Sequence, residues 1–226
     1  MRVTAWLVFV LMATTCLSSA RAQNADDELR VYAVNVVKTP PLEKQFTGFG
    51  IYLGKGMVLT AAHVVGHWPA ITKPRVVTAG LDLPAEVSKI GSLEDVDLAL
   101  LSVDESKLPV SLRLRRNPIC RGPAPVGTYV IVAYPERTAR SRVISPFLIA
   151  PQYRARLPSL IAEPQGSGSG VFHAERRCLL GIMSQRIRKY DYRRQYGRLV
   201  TSAAGYAGYF VPASTIANFI PPELRF

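Results

Sequence analysis

The chain has 226 residues, of which 48% are hydrophobic and 19% charged, with 16 glycines and 17 prolines. That supports one large folded domain or two small ones, and it excludes collagen-like, disordered and coiled-coil classes. The formal charge of +12 is unevenly placed: residues 1–112 carry 10 basic and 11 acidic side chains, a net of −1, whereas 113–226 carry 18 and 5, a net of +13. Such asymmetry concentrates anionic partners near one half and weakens with salt.

Arg2 precedes an apolar run, Trp6 to Leu17, and Ala20-Arg21-Ala22 follows with the small-x-small spacing of a cleavage site. Residues 1–22 therefore read as a removed export signal. The run is too short for a membrane anchor, which needs about 20 apolar residues. Cys16 lies within this leader, since Thr14-Thr15 ahead of it suits a lipid-attachment signal poorly. Two cysteines remain, Cys120 and Cys178, in a chain bound for an oxidising compartment. One disulfide is the expectation, against a pair of buried free thiols.

Short runs of β-branched and aromatic residues then recur between turn residues. They are Arg30 to Val37, Gly48 to Leu53, Met57 to Thr60, Arg75 to Ala79, Glu86 to Ile90, Leu98 to Val103, Thr128 to Ala133, Arg142 to Ile149 and Cys178 to Ser184. Many short strands at this spacing predict an all-β sandwich or barrel. One helix is expected at Ala213 to Phe219, entered at Pro212 and stopped by Pro221-Pro222. The polar, proline-containing stretch after Val103 places a domain boundary near residue 112.

Three segments carry residue types suited to nucleophilic chemistry. His63 follows the small residues of Thr60-Ala61-Ala62, Asp97 opens the apolar run Leu98-Ala99-Leu100-Leu101, and Ser167 lies within Gln165-Gly166-Ser167-Gly168-Ser169-Gly170. A hydroxyl becomes nucleophilic at neutral pH when an imidazole takes its proton, and the imidazole needs a carboxylate to fix its tautomer. A glycine-rich turn can aim backbone N–H groups at the oxyanion that forms. Asp95 competes with Asp97 and reads as a solvated turn residue; Ser169 competes with Ser167 and reads as a small residue packed beneath the site. His67, four residues after His63, reads as a surface side chain because no third metal ligand accompanies it.

The ordered set TAAHVV, DLALL and GSGSGVF, followed by CLLGI and YFVPASTI, resembles the chymotrypsin-fold serine peptidases, especially bacterial Deg/HtrA-like members. The resemblance implies two six-stranded antiparallel β-barrels with a short C-terminal helix, residues 23–112 forming the first barrel and 113–226 the second. It implies a serine endopeptidase in which Ser167 attacks, His63 moves the proton and Asp97 orients the imidazole, with the backbone of Gln165, Gly166 and Ser167 holding the oxyanion. Ile161, Ala162, Ile182, Met183 and Ser184 are placed at the pocket for the substrate side chain. No carboxylate is aimed into that pocket, which points to a small or medium apolar residue. No metal, organic cofactor or appended PDZ module is implied.

Two departures stand out. The family writes Gly-x-Ser-Gly where this chain has Gln165-Gly166-Ser167-Gly168, and an acidic residue before the serine, which pairs with a new N-terminus in trypsin-like zymogens, is here Gly166. The first keeps open a non-catalytic binding protein of the same fold; an esterase shares the same acyl-transfer chemistry. Arg186 to Arg198 gathers six positive charges and three tyrosines, read either as a solvated hairpin or as an edge that recruits acidic polypeptide, with nucleic acid a weaker reading. The mature chain is expected in the periplasm or outside the cell.

Overall fold

A computed structural model describes residues 25–39, 46–66, 69–195 and 198–226. The expected export signal, Cys16 and His67 lie outside these residues.

The first half forms a sheet of antiparallel strands: β1 Ala33–Lys38, β2 Phe46–Gly54, β3 Met57–Thr60, β4 Arg75–Thr78, β5 Leu81–Pro84, β6 Glu86–Ile90 and β7 Ala99–Ser102. Their order is β5-β4-β1-β2-β3-β7-β6. The two edge strands are neighbours in the chain, separated only by Ala85. Thus one bent stretch, 81–90, pairs with β4 on one side and β7 on the other. Pro84 has no N–H for a ladder, and the chain breaks beside it, where the Ala85 N–H turns to the Pro74 carbonyl at 3.0 Å. Counted as one bent strand, β5 and β6 complete the six-stranded first barrel.

The second half is a closed barrel of β8 Tyr129–Ala133, β9 Thr138–Ile144, β10 Leu160–Ile161, β11 Gly170–His173, β12 Leu179–Gln195 and β13 Arg198–Pro212, ordered β10-β13-β12-β11-β8-β9. The terminal helix spans Ala213–Phe219, as expected, with Pro212 at its cap. This is the chymotrypsin-like fold.

Ile51, Leu53, Leu59, Leu98 and Leu100 from the first barrel share one buried cluster with Ile131, Phe172, Leu179, Ile182, Val211 and Ile216 from the second. Each such side chain contributes about 1.5–3 kcal/mol on burial, so the barrels are fused by a common core. Cys120 and Cys178 form a disulfide with a Cα–Cα distance of 5.0 Å. It ties the segment that enters the second barrel to the start of β12, where the Cys120 N–H also meets the Leu179 carbonyl at 3.0 Å.

Three expected strands differ by three or more residues at an end. Glu28–Tyr32 is a 3-10 turn, and β1 starts only at Ala33. Arg30 and Tyr32 bond the carbonyls of Pro135 and Arg116, so their side chains reach outside the first sheet. The expected strand at Arg142–Ile149 is shifted toward the N-terminus and ends at Ile144, because Ser145 caps a 3-10 turn beginning at Pro146. The strand beginning near Cys178 runs on to Gln195, so the basic stretch is an arm of a long β12–β13 ribbon.

Candidate active site

His63 lies in a helical turn, Ala62–Val65, directly after β3. Asp97 precedes β7, which pairs with β3, so sheet pairing alone brings the two together. Gly91 shapes the loop that presents Asp97: a Cβ there would stand 2.1 Å from the Val96 carbonyl oxygen, closer than any side chain allows.

The Asp97 carboxylate is 3% exposed and accepts three hydrogen bonds. Its Oδ2 takes the His63 Nδ1–H at 2.8 Å and the Ser184 hydroxyl at 2.5 Å, and its Oδ1 takes the His63 backbone N–H at 3.0 Å. Burial by itself raises the Asp97 pKa; the bonds from His63 and Ser184 outweigh it and hold the group below the ordinary carboxylate value. An ionised Asp97 can only accept, so His63 Nδ1 carries a proton; in the neutral imidazole the lone pair is then on Nε2. Asp95, by contrast, is exposed, its N–H turned to Ser92.

Ser167 sits in a turn before β11. The turn is stapled to the first barrel: the Phe49 N–H donates to the Ser167 carbonyl at 2.9 Å. Gly168 has φ +85°, and a Cβ there would fall 1.9 Å from the Phe49 carbonyl oxygen, so only glycine fits. The Ser167 hydroxyl donates to the Ser184 carbonyl at 3.4 Å. Among the described residues it makes no hydrogen bond to His63. Ser169 is fully buried and its hydroxyl closes the turn on the Gly166 carbonyl at 2.6 Å.

Tyr134, at the end of β8, engages both residues of the irregular pair. Its hydroxyl donates to Gln165 Oε1 at 2.5 Å and accepts the Gly166 N–H at 3.0 Å. Burial raises the phenol's pKa, so the donor proton is retained. Phe49 packs edge-on against its ring at 4.9 Å, and a Cβ on Gly166 would strike the Phe49 ring. The N–H groups of Gln165 and Ser167, the two that could face an oxyanion, donate to no protein acceptor among the described residues.

A family model described as a trypsin-like peptidase domain matches residues 47–182, a span that contains all three of these side chains. The chain belongs to the trypsin-like peptidases. Solved structures agree on the fold. The Rv3671c protease of M. tuberculosis in its active form superposes with a TM-score of 0.57 at 20% identity, covering 85% of this chain and 80% of that one. Deg5 gives 0.60 at 14% identity, covering 92% and 95%. The serine endoprotease from Yersinia pestis gives 0.53 at 20% identity, covering 89% and 66%. Comparison with curated protein sequences finds no match.

The remaining sequence-predicted residues of this trypsin-like peptidase separate into two groups. Ile161 and Met183 are fully buried and converge on Gly208, where a Cβ would meet Met183 Cε at 2.6 Å and Ile161 Cγ1 at 3.1 Å. Ala162 is half-buried beside them, its carbonyl accepting Lys189 Nζ at 2.8 Å. Ile182 lies elsewhere, in the core shared by the barrels. Ser184 spans both roles: its hydroxyl is committed to Asp97, while its carbonyl faces Ser167. Tyr134 and the Ser184–Asp97 bond were not foreseen. A lone tyrosine before a proline carries no local signal of a partner 31 residues away, and the family resemblance points for Ser184 only to a pocket wall.

Proposed function

We propose that the chain is an exported serine endopeptidase that cleaves peptide bonds through an acyl-enzyme. Ser167 attacks the carbonyl once its hydroxyl turns from the Ser184 carbonyl to His63 Nε2; such catalytic bonds are commonly loose without substrate. His63 takes the proton and returns it to the leaving amine, while Asp97 holds the tautomer and stabilises the imidazolium. The N–H groups of Gln165 and Ser167 receive the oxyanion, which adds roughly 3–4 kcal/mol of transition-state stabilisation per donor. The observation that carries this reading is the buried Asp97 carboxylate bonded twice to His63, an arrangement whose chemical use is to orient a base.

The pocket for the substrate side chain is read as shallow. Ile161 and Met183 fill its base and Ala162 lines its side, which favours a small apolar residue before the cleaved bond. The disulfide supports an oxidising destination, and no helix of the described residues is long and apolar enough to cross a membrane. A fluorophosphonate probe tests the core of the proposal. Covalent labelling of the folded protein that Ser167→Ala abolishes is the expected result; a folded, processed protein that takes up no probe would point to the non-catalytic binding protein instead. Turnover of an ester but of no peptide would reassign it as an esterase.

A further inference from the structure

The β12–β13 ribbon leaves part of one edge unpaired next to Ser167. Up to Met183 that edge of β12 is covered, since Met183 exchanges backbone hydrogen bonds with Gly168 and Ser169. It is covered again at Lys189, bridged to Ile149. Between them, no strand among the described residues pairs with the edge at Ser184, Gln185, Arg186 or Ile187. The Ser184 carbonyl points to the Ser167 side. By the two-residue repeat of a strand, the N–H and C=O of Arg186 point there also, whereas Gln185 and Ile187 face β13.

The two faces of this strand differ in charge: one carries arginines, the other the uncharged Gln185 and Ile187. Arg186 and Arg188, opposite Gly208 and Tyr206 in register, share one face, and both are exposed. The Arg186 guanidinium lies 4.8 Å from the Tyr206 ring centroid. The Arg188 guanidinium at the Tyr206 hydroxyl, with Arg186 beside it, lowers that phenol's pKa. Both arginines thus lie at one ring. Gln185, on the other face, lines a cavity with Glu94, Asp95, Arg156 and Tyr209.

We infer that this edge selects extended peptides with an acidic residue at the third position upstream of the cleaved bond. The inference rests on the peptidase reading above. A peptide added antiparallel to β12 runs toward Ser167, so its residues before the cleaved bond lie along the edge. With its first upstream residue opposite Ser184, the third stands opposite Arg186, on the same face and within side-chain reach. The next residue of that face meets Arg188, about 6–7 Å further along the strand. The second upstream residue faces the side of Gln185, where Glu94 and Asp95 stand beside Arg156 and an acid has no net advantage.

The test uses fluorogenic peptides identical except for Glu, Gln or Lys at the third or the second upstream position. At the third position kcat/KM should rank Glu above Gln above Lys, each step about 3- to 5-fold in low salt and less in high salt. At the second position acid should give no gain. Arg186→Glu should invert the ranking at the third position, measured relative to each enzyme's rate on the Gln peptide. Equal gain from acid at both positions would mean bulk attraction to a basic half and overturn the inference. So would a third-position preference unchanged in both Arg186→Glu and Arg188→Glu. If the wild type cleaves no peptide and takes no fluorophosphonate, the peptidase reading falls and this inference with it; cleavage of the Gln peptide without charge preference sinks the inference alone.

Discussion

The two barrels hold their parts of the site by different means. In the first, backbone pairing between β3 and β7 brings His63 and Asp97 together, and the carboxylate is buried and saturated with donors. In the second, Ser167 sits in a turn outside the strands, held by the Tyr134 phenol, the Ser169 hydroxyl and backbone bonds to Met183 and Phe49. The His63–Asp97 pair is thus positioned by sheet pairing, whereas the Ser167 turn is held partly by side chains. A sheet-built element moves only with its barrel; a turn held by a few bonds can be displaced at a cost of a few kcal/mol. Disturbing the first barrel's contribution should therefore change the chemistry of the base, and disturbing the second's should change the geometry of the turn.

The largest expected effect tests the first half of that contrast. Asp97→Asn keeps the shape but presents an amide where Nδ1–H needs an acceptor, and it should lower kcat by about 10⁴-fold with KM little changed. A loss under tenfold would mean that Asp97 does not orient the imidazole. Next, replacing both Cys120 and Cys178 by serine should cost about 4 kcal/mol of stability through the 58-residue separation they close, read as a lower urea midpoint. Third, Tyr134→Phe leaves the Gly166 N–H without its acceptor and frees Gln165. The cost of about 1–3 kcal/mol should appear as a 10- to 100-fold fall in kcat with KM nearly unchanged. If KM rises instead and kcat holds, Tyr134 shapes substrate binding rather than the anion-holding turn.

The same division explains what could be read from the amino acids alone. Met57–Thr60 and Glu86–Ile90 were legible to the residue because their alternation and flanking turns are local signals. His63 and Asp97 stood out for the same reason: each adjoins such a strand. The ribbon's second arm was not legible. Its stretch Ala203-Ala204-Gly205-Tyr206-Ala207-Gly208 has few β-formers, and it is a strand because β12 pairs with it along most of its length. The split at Pro84 and the Tyr134 contacts likewise depend on partners distant in the chain. Local pattern picks out the candidate residues; pairing and packing determine where they are presented.

Acid should separate the barrels by pH window, with the smallest effect of the set. Asp97 has a folded pKa below its unfolded value, so the unfolded chain binds the extra proton. Its contribution is fully present above about pH 4 and is lost as pH falls through the lowered folded value. In the second barrel His173 is buried, and its Nδ1 accepts the N–H groups of Glu175 and Arg176 at 3.2 and 3.3 Å. Burial, with the Arg176 charge adding to it, lowers its pKa. Here too the unfolded chain binds the proton more readily, but the window is higher: stability is full above about pH 6.5 and declines below it until the folded group titrates. Chemical denaturation at pH 7.5, 5.5 and 3.5 should therefore show a first loss between the upper two values that His173→Gln removes, and a further loss at the lowest that Asp97→Asn reduces. A wild-type midpoint that stays flat from pH 7.5 to 5.5 would show that the turn after β11 accepts a protonated imidazole, and that the second barrel is no more acid-sensitive than the first.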